Sequence, residues 1–268
     1  MVPRKFKLAL IQMLVKGGER DRNIRHAIDQ IEEAASNGAK VALLPECLDL
    51  GWTHPSCLTL AEGIPEGEPC RLLMAAAKKH GIHVCAGLTE KQDERVYNSA
   101  VIIDRHGELL CRHRKLNELD IAQGYYDPGD RLNVAKTEFG TFGLMICADG
   151  FAKDHVLTRS LCHMGADVIL SPCAWAVEDG HDNIKDPYGE EWRDAYMPVA
   201  KEFSTAIFGV SNVGDIVDGP WKGRKCIGCS LAINSQGEEI LQGPYGVDAE
   251  CILYIDVEPA PKPKKGTE

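Results

Sequence analysis

Short apolar runs bounded by Gly, Pro, Asn or Asp alternate along this chain with longer stretches of helical spacing. "KFKLALIQM" reads as a buried strand. "DRNIRHAIDQIEEAASNGA" follows it, with Ile24, Ile28, Ile31 and Ala35 on one helical face and Gly38 near its end. "KVALLPE" predicts a second strand, and "EPCRLLMAAAKKHG" a helix stopped by Gly81. "IHVCAGLTEK", "NSAVIID" and "ELLCRHRK" predict three strands, the last two joined as a hairpin around "RHGE". "FGLMIC" predicts a strand, "DHVLTRSLCHMGA" a helix and "DVILSPCAW" a strand. "YGEEWRDAYMPVAKEFSTA" predicts a helix leading into the strand "IFGVSNV". "CSLAINSQGEEIL" is a hairpin around "NSQGE", and "ECILYIDVE" is the final strand. Strand–helix–strand units with hairpins between and after them predict mixed sheets with helices outside. No long linker divides the chain, so we expect one domain over residues 1–258 and a disordered Pro- and Lys-rich tail over 259–268. No short repeat is visible.

Composition narrows the partners. The 268 residues suffice to bury roughly 75% of the unfolded surface without disulfides. A net charge of -10 disfavours nucleic acid and anionic membranes. The eleven cysteines, several inside apolar stretches such as "HVCAGL" and "ECILYI", read as reduced, buried small hydrophobes. No signal peptide or membrane-length apolar run is evident. A reducing, cytoplasmic setting is expected.

Open α/β sheets bind ligands beyond the carboxyl ends of their strands. Three predicted strand ends carry reactive groups: Glu46 in "VALLPECLDLGW", Lys115 in "LLCRHRKLNELD" and Cys147 in "GLMICADGF". A carboxylate, an ammonium and a thiol suit acyl transfer. The thiol attacks a carbonyl, the carboxylate shuttles the proton, and the ammonium stabilises the oxyanion. Singly, each has a plainer reading. Cys147 could be one more buried cysteine, Glu46 a loop acid or helix cap, and Lys115 part of a solvent-facing strand. Their joint occurrence carries the signal. "CIGC" at Cys226 and Cys229 raises a thiol-redox or metal alternative. It lacks a second ligand pair and precedes a strand rather than opening a helix. No metal or cofactor is expected.

The segments "LLPEC", "HRKLN" and "MICAD" resemble the Glu, Lys and Cys segments of the nitrilase, or carbon–nitrogen hydrolase, superfamily. "PGDRLNVAKTEFGTFGLMIC", "GADVILSPCAW", "FGVSNVG" and "GCSLAINSQGEEI" extend the resemblance over nearly the whole chain. The resemblance implies a four-layer α-β-β-α sandwich with mixed sheets. It also implies a Glu46–Lys115–Cys147 triad, with the Ala148 N–H sharing oxyanion stabilisation with Lys115. The implied activity is amidase-type hydrolysis of a small amide or N-carbamoyl compound through a cysteine thioester. A homodimer or larger homo-oligomer is implied as well. A nitrile hydrolase and a non-catalytic scaffold of the same fold are the alternatives.

The chain departs from the family pattern in places. "CADGFA" has Ala148 where amidases carry an aromatic, and lacks the following arginine. Nitrile-hydrolysing members carry Trp-Glu after the cysteine, so Ala-Asp leans toward amides. Asp149 is expected to hold the turn. The position of the family's second glutamate, counted back from "DPGD", is Ala122; Glu118 could serve instead from a shortened loop, or be a solvated loop acid. The charged segment "AVEDGHDNIKDPYGEEW" should cover the pocket. Trp175, His181 and Trp192 are candidate substrate contacts, with packing the expectation for Trp192 and an exposed loop position for His181.

Overall fold

A computed structural model describes residues 4–260. Its strands are β1 (Phe6–Gln12), β2 (Val41–Leu43), β3 (His83–Gln92), β4 (Arg95–Ile103), β5 (Leu109–Arg114), β6 (Val134–Thr137), β7 (Gly140–Leu144) and β8 (Val168–Cys173). The later strands are β9 (Ala176–Val177), β10 (Ala206–Ser211), β11 (Val213–Asp215), β12 (Lys225–Ile227), β13 (Leu231–Ile233), β14 (Glu239–Gln242) and β15 (Cys251–Val257). The α-helices are α1 (Arg20–Ser36), α2 (Cys57–Leu60), α3 (Glu68–His80), α4 (Val156–His163) and α5 (Glu190–Phe203).

Two six-stranded sheets form, ordered β15-β1-β2-β3-β4-β5 and β14-β13-β10-β8-β7-β6. Read from β15, neighbouring pairs run antiparallel, parallel, parallel, antiparallel, antiparallel. Read from β6, the second sheet runs in the same order. The chain is therefore built from two halves of matching topology that no short sequence repeat betrays. Alternation along β1 explains the layers. Ala9 and Ile11 pack with Ile24 and Ile31 of α1 and Leu73 of α3. Leu8 and Leu10 pack with Phe142 and Leu144 of the other sheet. Trp192, Tyr196 and Val199 of α5 and Leu161 of α4 cover that sheet's far side. The result is the α-β-β-α sandwich. Strands β11, β12 and β9 form a small third sheet.

Several boundaries differ from expectation for local reasons. β2 ends at Leu43 rather than reaching Glu46, since Pro45 has no N–H to extend the ladder. β7 ends at Leu144, because the Ile146 N–H is taken by the Asp149 carboxylate at 2.9 Å. The helix expected from Asp154 begins as a distorted turn, with Asp154 and His155 at φ 57 and 52; α4 starts only at Val156. Beyond β15, Pro259 is buried and Ala260 half-buried. The rest of the expected tail, 261–268, lies outside the described residues.

Candidate active site

The loop after β2 carries Glu46. It is laid against β3 by backbone bonds from Gly87 N to Pro45 O (2.9 Å) and from Leu48 N to Gly87 O (3.0 Å). Gly87 is required there: a Cβ would stand 2.5 Å from Glu46 Cα. Asp49 pins the same loop by accepting from Thr89 Oγ1 at 2.6 Å and from Thr89 N at 3.1 Å. Burial pushes the Asp49 carboxyl up to about 6, against those hydrogen bonds.

Lys115 follows β5 directly, its N–H bonded to Asn98 O of β4 at 2.9 Å. Its Nζ donates to Glu46 Oε1 at 2.7 Å, with both side chains 1% exposed. Asn98 Nδ2 donates to the same oxygen at 2.6 Å. Burial alone would pull the Lys115 ammonium down, but the Glu46 and Glu118 carboxylates outweigh it. The ammonium stays well above its ordinary value.

Cys147 opens a short 3₁₀ turn, Cys147–Phe151, just beyond β7. Its φ is 43, a left-handed conformation rare for a side chain this size and common at functional turns. It is 9% exposed. Burial pushes its thiol well above the ordinary value; Cys173 and Glu46 add to the push and Lys115 opposes it. The resting sulfur is a thiol. At the second position of the turn, the Ala148 N–H has no acceptor within the turn itself.

Asp149 holds this turn to the lysine loop. Its Oδ1 accepts from Leu116 N (3.0 Å) and Asn117 N (2.8 Å). Its Oδ2 accepts from Ile146 N, and from His113 Nε2 at 2.8 Å. Asp149 and His113 are both fully buried. Burial would raise the Asp149 carboxyl, but His113 and the backbone N–H groups outweigh it and hold it below its ordinary range. One carboxylate thus ties the segment after Lys115 to the segment before Cys147.

Glu118 lies beside this pair, its Oε2 3.7 Å from Lys115 Nζ and its side chain 4% exposed. Neither of its oxygens accepts a hydrogen bond, although the Asn98 amide that donates to Glu46 stands close enough to pull the Glu118 carboxyl down slightly. Burial pushes the Glu118 carboxyl up to about 7, Lys115 pulls against that, and Glu46 adds to it. Ala122 instead packs with Trp52 and Tyr126 in a satellite cluster.

Trp175 is buried, with its N–H backbone group bonded to Ser211 Oγ at 2.8 Å and its indole Nε1 without an acceptor. Its ring stacks on Trp192 at 4.6 Å, and Trp192 meets Phe151 at 4.2 Å. Gly209 makes room: a Cβ would stand 3.0 Å from the Trp175 ring. Trp192 belongs to the core, its Nε1 donating to Tyr188 OH at 2.9 Å. His181 is half-buried rather than exposed, 3.9 Å from Asp186 and 6.0 Å from the Tyr245 ring. It lines a cavity of about 710 Å³ with Glu178, Asp186, Tyr188 and Glu191.

Sequence reading missed Asn98, His113 and Asp49. The available signal was a polar residue at an inward position of an apolar strand, as Asn98 is in "YNSAVII". Cys226 and Cys229 are buried free thiols. Among the described residues, no group of three or more His, Cys, Asp or Glu is placed to hold a metal ion. No helix among them is long and apolar enough to cross a membrane.

The carbon–nitrogen hydrolase family model matches residues 7–260. A nitrilase from Pyrococcus abyssi is 32% identical over 255 residues, covering 94% of this chain and 90% of that protein. An omega-amidase, NIT2-A, from Xenopus laevis is 33% identical over 187 residues, 66% of each chain. The crystal structure of a carbon–nitrogen hydrolase from Helicobacter pylori G27 superposes with a TM-score of 0.84 at 23% identity, covering 95% of this chain and 90% of that one.

Proposed function

Because this chain belongs to the carbon–nitrogen hydrolase family, we propose that it hydrolyses the C–N bond of a small non-peptide amide or N-carbamoyl compound, through a thioester on Cys147. The observation that carries this is the buried Lys115–Glu46 pair, joined at 2.7 Å, acting on a thiol held in a left-handed turn. Because the thiol is protonated at rest, its proton must leave as the sulfur attacks. Lys115 and Asn98 both donate to Glu46 Oε1, so Oε2 is the oxygen available to take that proton. The carbonyl oxygen becomes an oxyanion, met by the Lys115 ammonium and the Ala148 N–H. The tetrahedral intermediate collapses, and Glu46 returns the proton to the departing amine. Water then attacks the thioester. Glu46 accepts its proton, and the thiol is restored as the acid leaves.

Glu118, with its carboxyl pushed up to about 7, is the second glutamate of this reading and hydrogen-bonds the attacking water. The Trp175 indole N–H, buried without an acceptor, donates to the substrate. No cofactor is needed. The partner is a small amide-type molecule, and the net charge of -10 argues against nucleic acid. A reducing, cytoplasmic compartment and at least a homodimer complete the proposal. The second rests on the family resemblance, and light scattering showing a monomer at micromolar concentration would count against it.

The test is ammonia release from a panel of amides, N-carbamoyl amines and nitriles, with acid-quenched turnover mixtures mapped by mass spectrometry. An acyl mass on the Cys147 peptide and silence of Cys147→Ala are expected. Turnover by Cys147→Ala would end the reading.

A further inference from the structure

A second thiol stands next to the candidate nucleophile, and the strand register puts it there. β7 and β8 run parallel, with Phe142 opposite Val168, Gly143 opposite Ile169 and Leu144 opposite Leu170. Carried three residues on, the same offset sets Cys147 level with Cys173, the last residue of β8. The Met145 N–H still bonds Leu170 O at 3.2 Å, so the two backbones remain neighbours beyond the end of β7. Laterally paired residues stand roughly 4.8 Å apart. That lies inside the ~4.4–6.8 Å between Cα atoms that a disulfide spans. Tyr196 touches both sides of the pair. Its hydroxyl lies 3.9 Å from Cys173 Sγ, and its ring lies against Gly150 of the Cys147 turn, where a Cβ would stand 3.2 Å from it. Both thiols act on that hydroxyl, and Cys173 hydrogen-bonds the Cys147 thiol. The Cys173 carbonyl also accepts from the Glu46 N–H at 3.2 Å. Cys85 and Cys111 make a useful contrast: they share a core, but Ile102 stands between them in the ladder.

Access orders the two sulfurs. Cys173 is fully buried, and Cys147 is 9% exposed. Hydrogen peroxide is smaller than any amide, so the path that brings a substrate to Cys147 admits it. The carboxylate that draws the proton from Cys147 in attack on a carbonyl serves attack on a peroxide oxygen as well.

We propose that Cys147 and Cys173 form a reversible disulfide when a hydroperoxide reaches the site, with Cys147 as the thiol oxidised first and Cys173 as the resolving thiol. The Cys147 sulfur attacks one peroxide oxygen: an S–O bond forms and the O–O bond breaks. The thiol proton passes through Glu46 to the departing hydroxide, which leaves as water, and Cys147 is a sulfenic acid. The Cys173 sulfur then attacks the Cys147 sulfur. The S–S bond forms, the S–O bond breaks, and the hydroxyl leaves with the Cys173 proton as a second water. The two thiols together give up two electrons, and hydrogen peroxide is reduced to water. The bond spares Cys147 the irreversible sulfinic stage, and a thiol reductant restores both groups by exchange. The proposal rests on the reading of Cys147 as a nucleophile, but the cross-link is read without any substrate.

The experiment treats the full-length protein with hydrogen peroxide, blocks remaining thiols with N-ethylmaleimide in denaturant, and digests it unreduced at acidic pH. Mass spectrometry should find the Cys147 and Cys173 peptides joined, two hydrogens below their summed mass, with Cys85 and Cys111 still blocked as thiols. Ammonia release should fall in step with the cross-link, and dithiothreitol should restore most of it. In Cys173→Ser, dimedone should trap a sulfenic acid on Cys147, and the same peroxide dose should carry it on to the sulfinic acid. Recovery by dithiothreitol, relative to each protein's own untreated rate, should be about fivefold lower in the variant. Cys173→Ala gives the same comparison if thermal melting shows the serine variant unfolded. Sulfinic acid on Cys147 of the parent without a joined peptide would overturn the proposal, as would equal recovery by parent and variant. If no amide is turned over, the hydrolase reading fails and the joined peptide alone decides the pair: its presence supports the disulfide, and its absence overturns it.

Discussion

The two halves of the molecule share one strand frame and use it differently. In the first half, the loops after β2 and β5 carry charge: Glu46 and Lys115 meet in a dry, hydrogen-bonded pair. In the second half, the turn after β7 carries a strained thiol, and the segment after β8 carries Trp175 in an aromatic stack. The strands set where loops emerge, and the loops decide the chemistry. Two buried acids make the same point. Asp149 faces four donors and is held below its ordinary range. Glu118 accepts no hydrogen bond and is pushed up to about 7. Burial is common to both; the donors make the difference.

The sharpest way to break the contrast is to disarm the charged half. Glu46→Gln keeps the volume and a hydrogen-bonding oxygen but cannot carry the proton. Turnover should fall by about 10²–10⁴-fold with the fold intact. Near-normal ammonia release from the variant would remove Glu46 from the chemistry.

The link between the halves comes next. Asp149→Asn replaces an acceptor by an amide facing N–H groups, and should cost on the order of 3 kcal/mol. Melting should drop by roughly 6–12 °C near neutral pH. The Asp149 carboxyl is depressed in the fold, so its stabilisation is present above its unfolded value of 3.8 and is lost as pH falls through the folded value. The gap between parent and variant should therefore narrow in strong acid. A gap that is constant across pH would contradict the hydrogen-bond account.

Glu118→Gln should act in the opposite sense. A carboxyl raised from 4.5 to about 7 destabilises the fold once ionised. The parent should thus lose stability as pH rises across that window, by about 3 kcal/mol, and the variant should not. Urea midpoints at acidic and at mildly alkaline pH measure the difference. Equal slopes for both proteins would show that Glu118 is solvated.

The smallest effect concerns a thiol of the frame. Cys251, on β15, is half-buried, whereas the other ten cysteines are buried. Cys251→Ser should change stability by no more than about 0.5 kcal/mol and leave turnover unaffected. Lost activity would give β15 a part in the site.

Much of this arrangement was legible in the sequence, for identifiable reasons. α1 and α3 carry clean helical periodicity, and Gly81 caps α3 in the left-handed conformation at φ 63. β1 and β15 are mostly apolar runs, interrupted only by Lys7 and Asp256 before their ends. β6, β9, β11 and β12 were not visible, being two to four residues long and partly polar. The matching topology of the halves depends on strand pairing, which leaves no local mark. In the site, Glu46, Lys115, Cys147 and Glu118 were singled out because each follows a strand or a family segment. Asn98 and His113 lie inside strands, where only tertiary packing turns a polar residue inward to a charged partner. Cys57, Cys226 and Cys229 lie in loop-like stretches of the sequence, and their burial too is decided by tertiary packing. All three are buried by neighbouring loops and strands, and Cys251 on a sheet edge is the open one.

That difference among the thiols gives the most direct test of the central claim, that Cys147 is the nucleophile. Substoichiometric iodoacetamide, with peptide mapping and residual activity followed on the same samples, separates the thiol of the frame from the thiol of the site. Label on Cys251 should accumulate without loss of turnover. Activity should fall in proportion to label on Cys147, and a bound amide should slow both together. Full labelling of Cys147 with turnover unchanged would contradict the assignment.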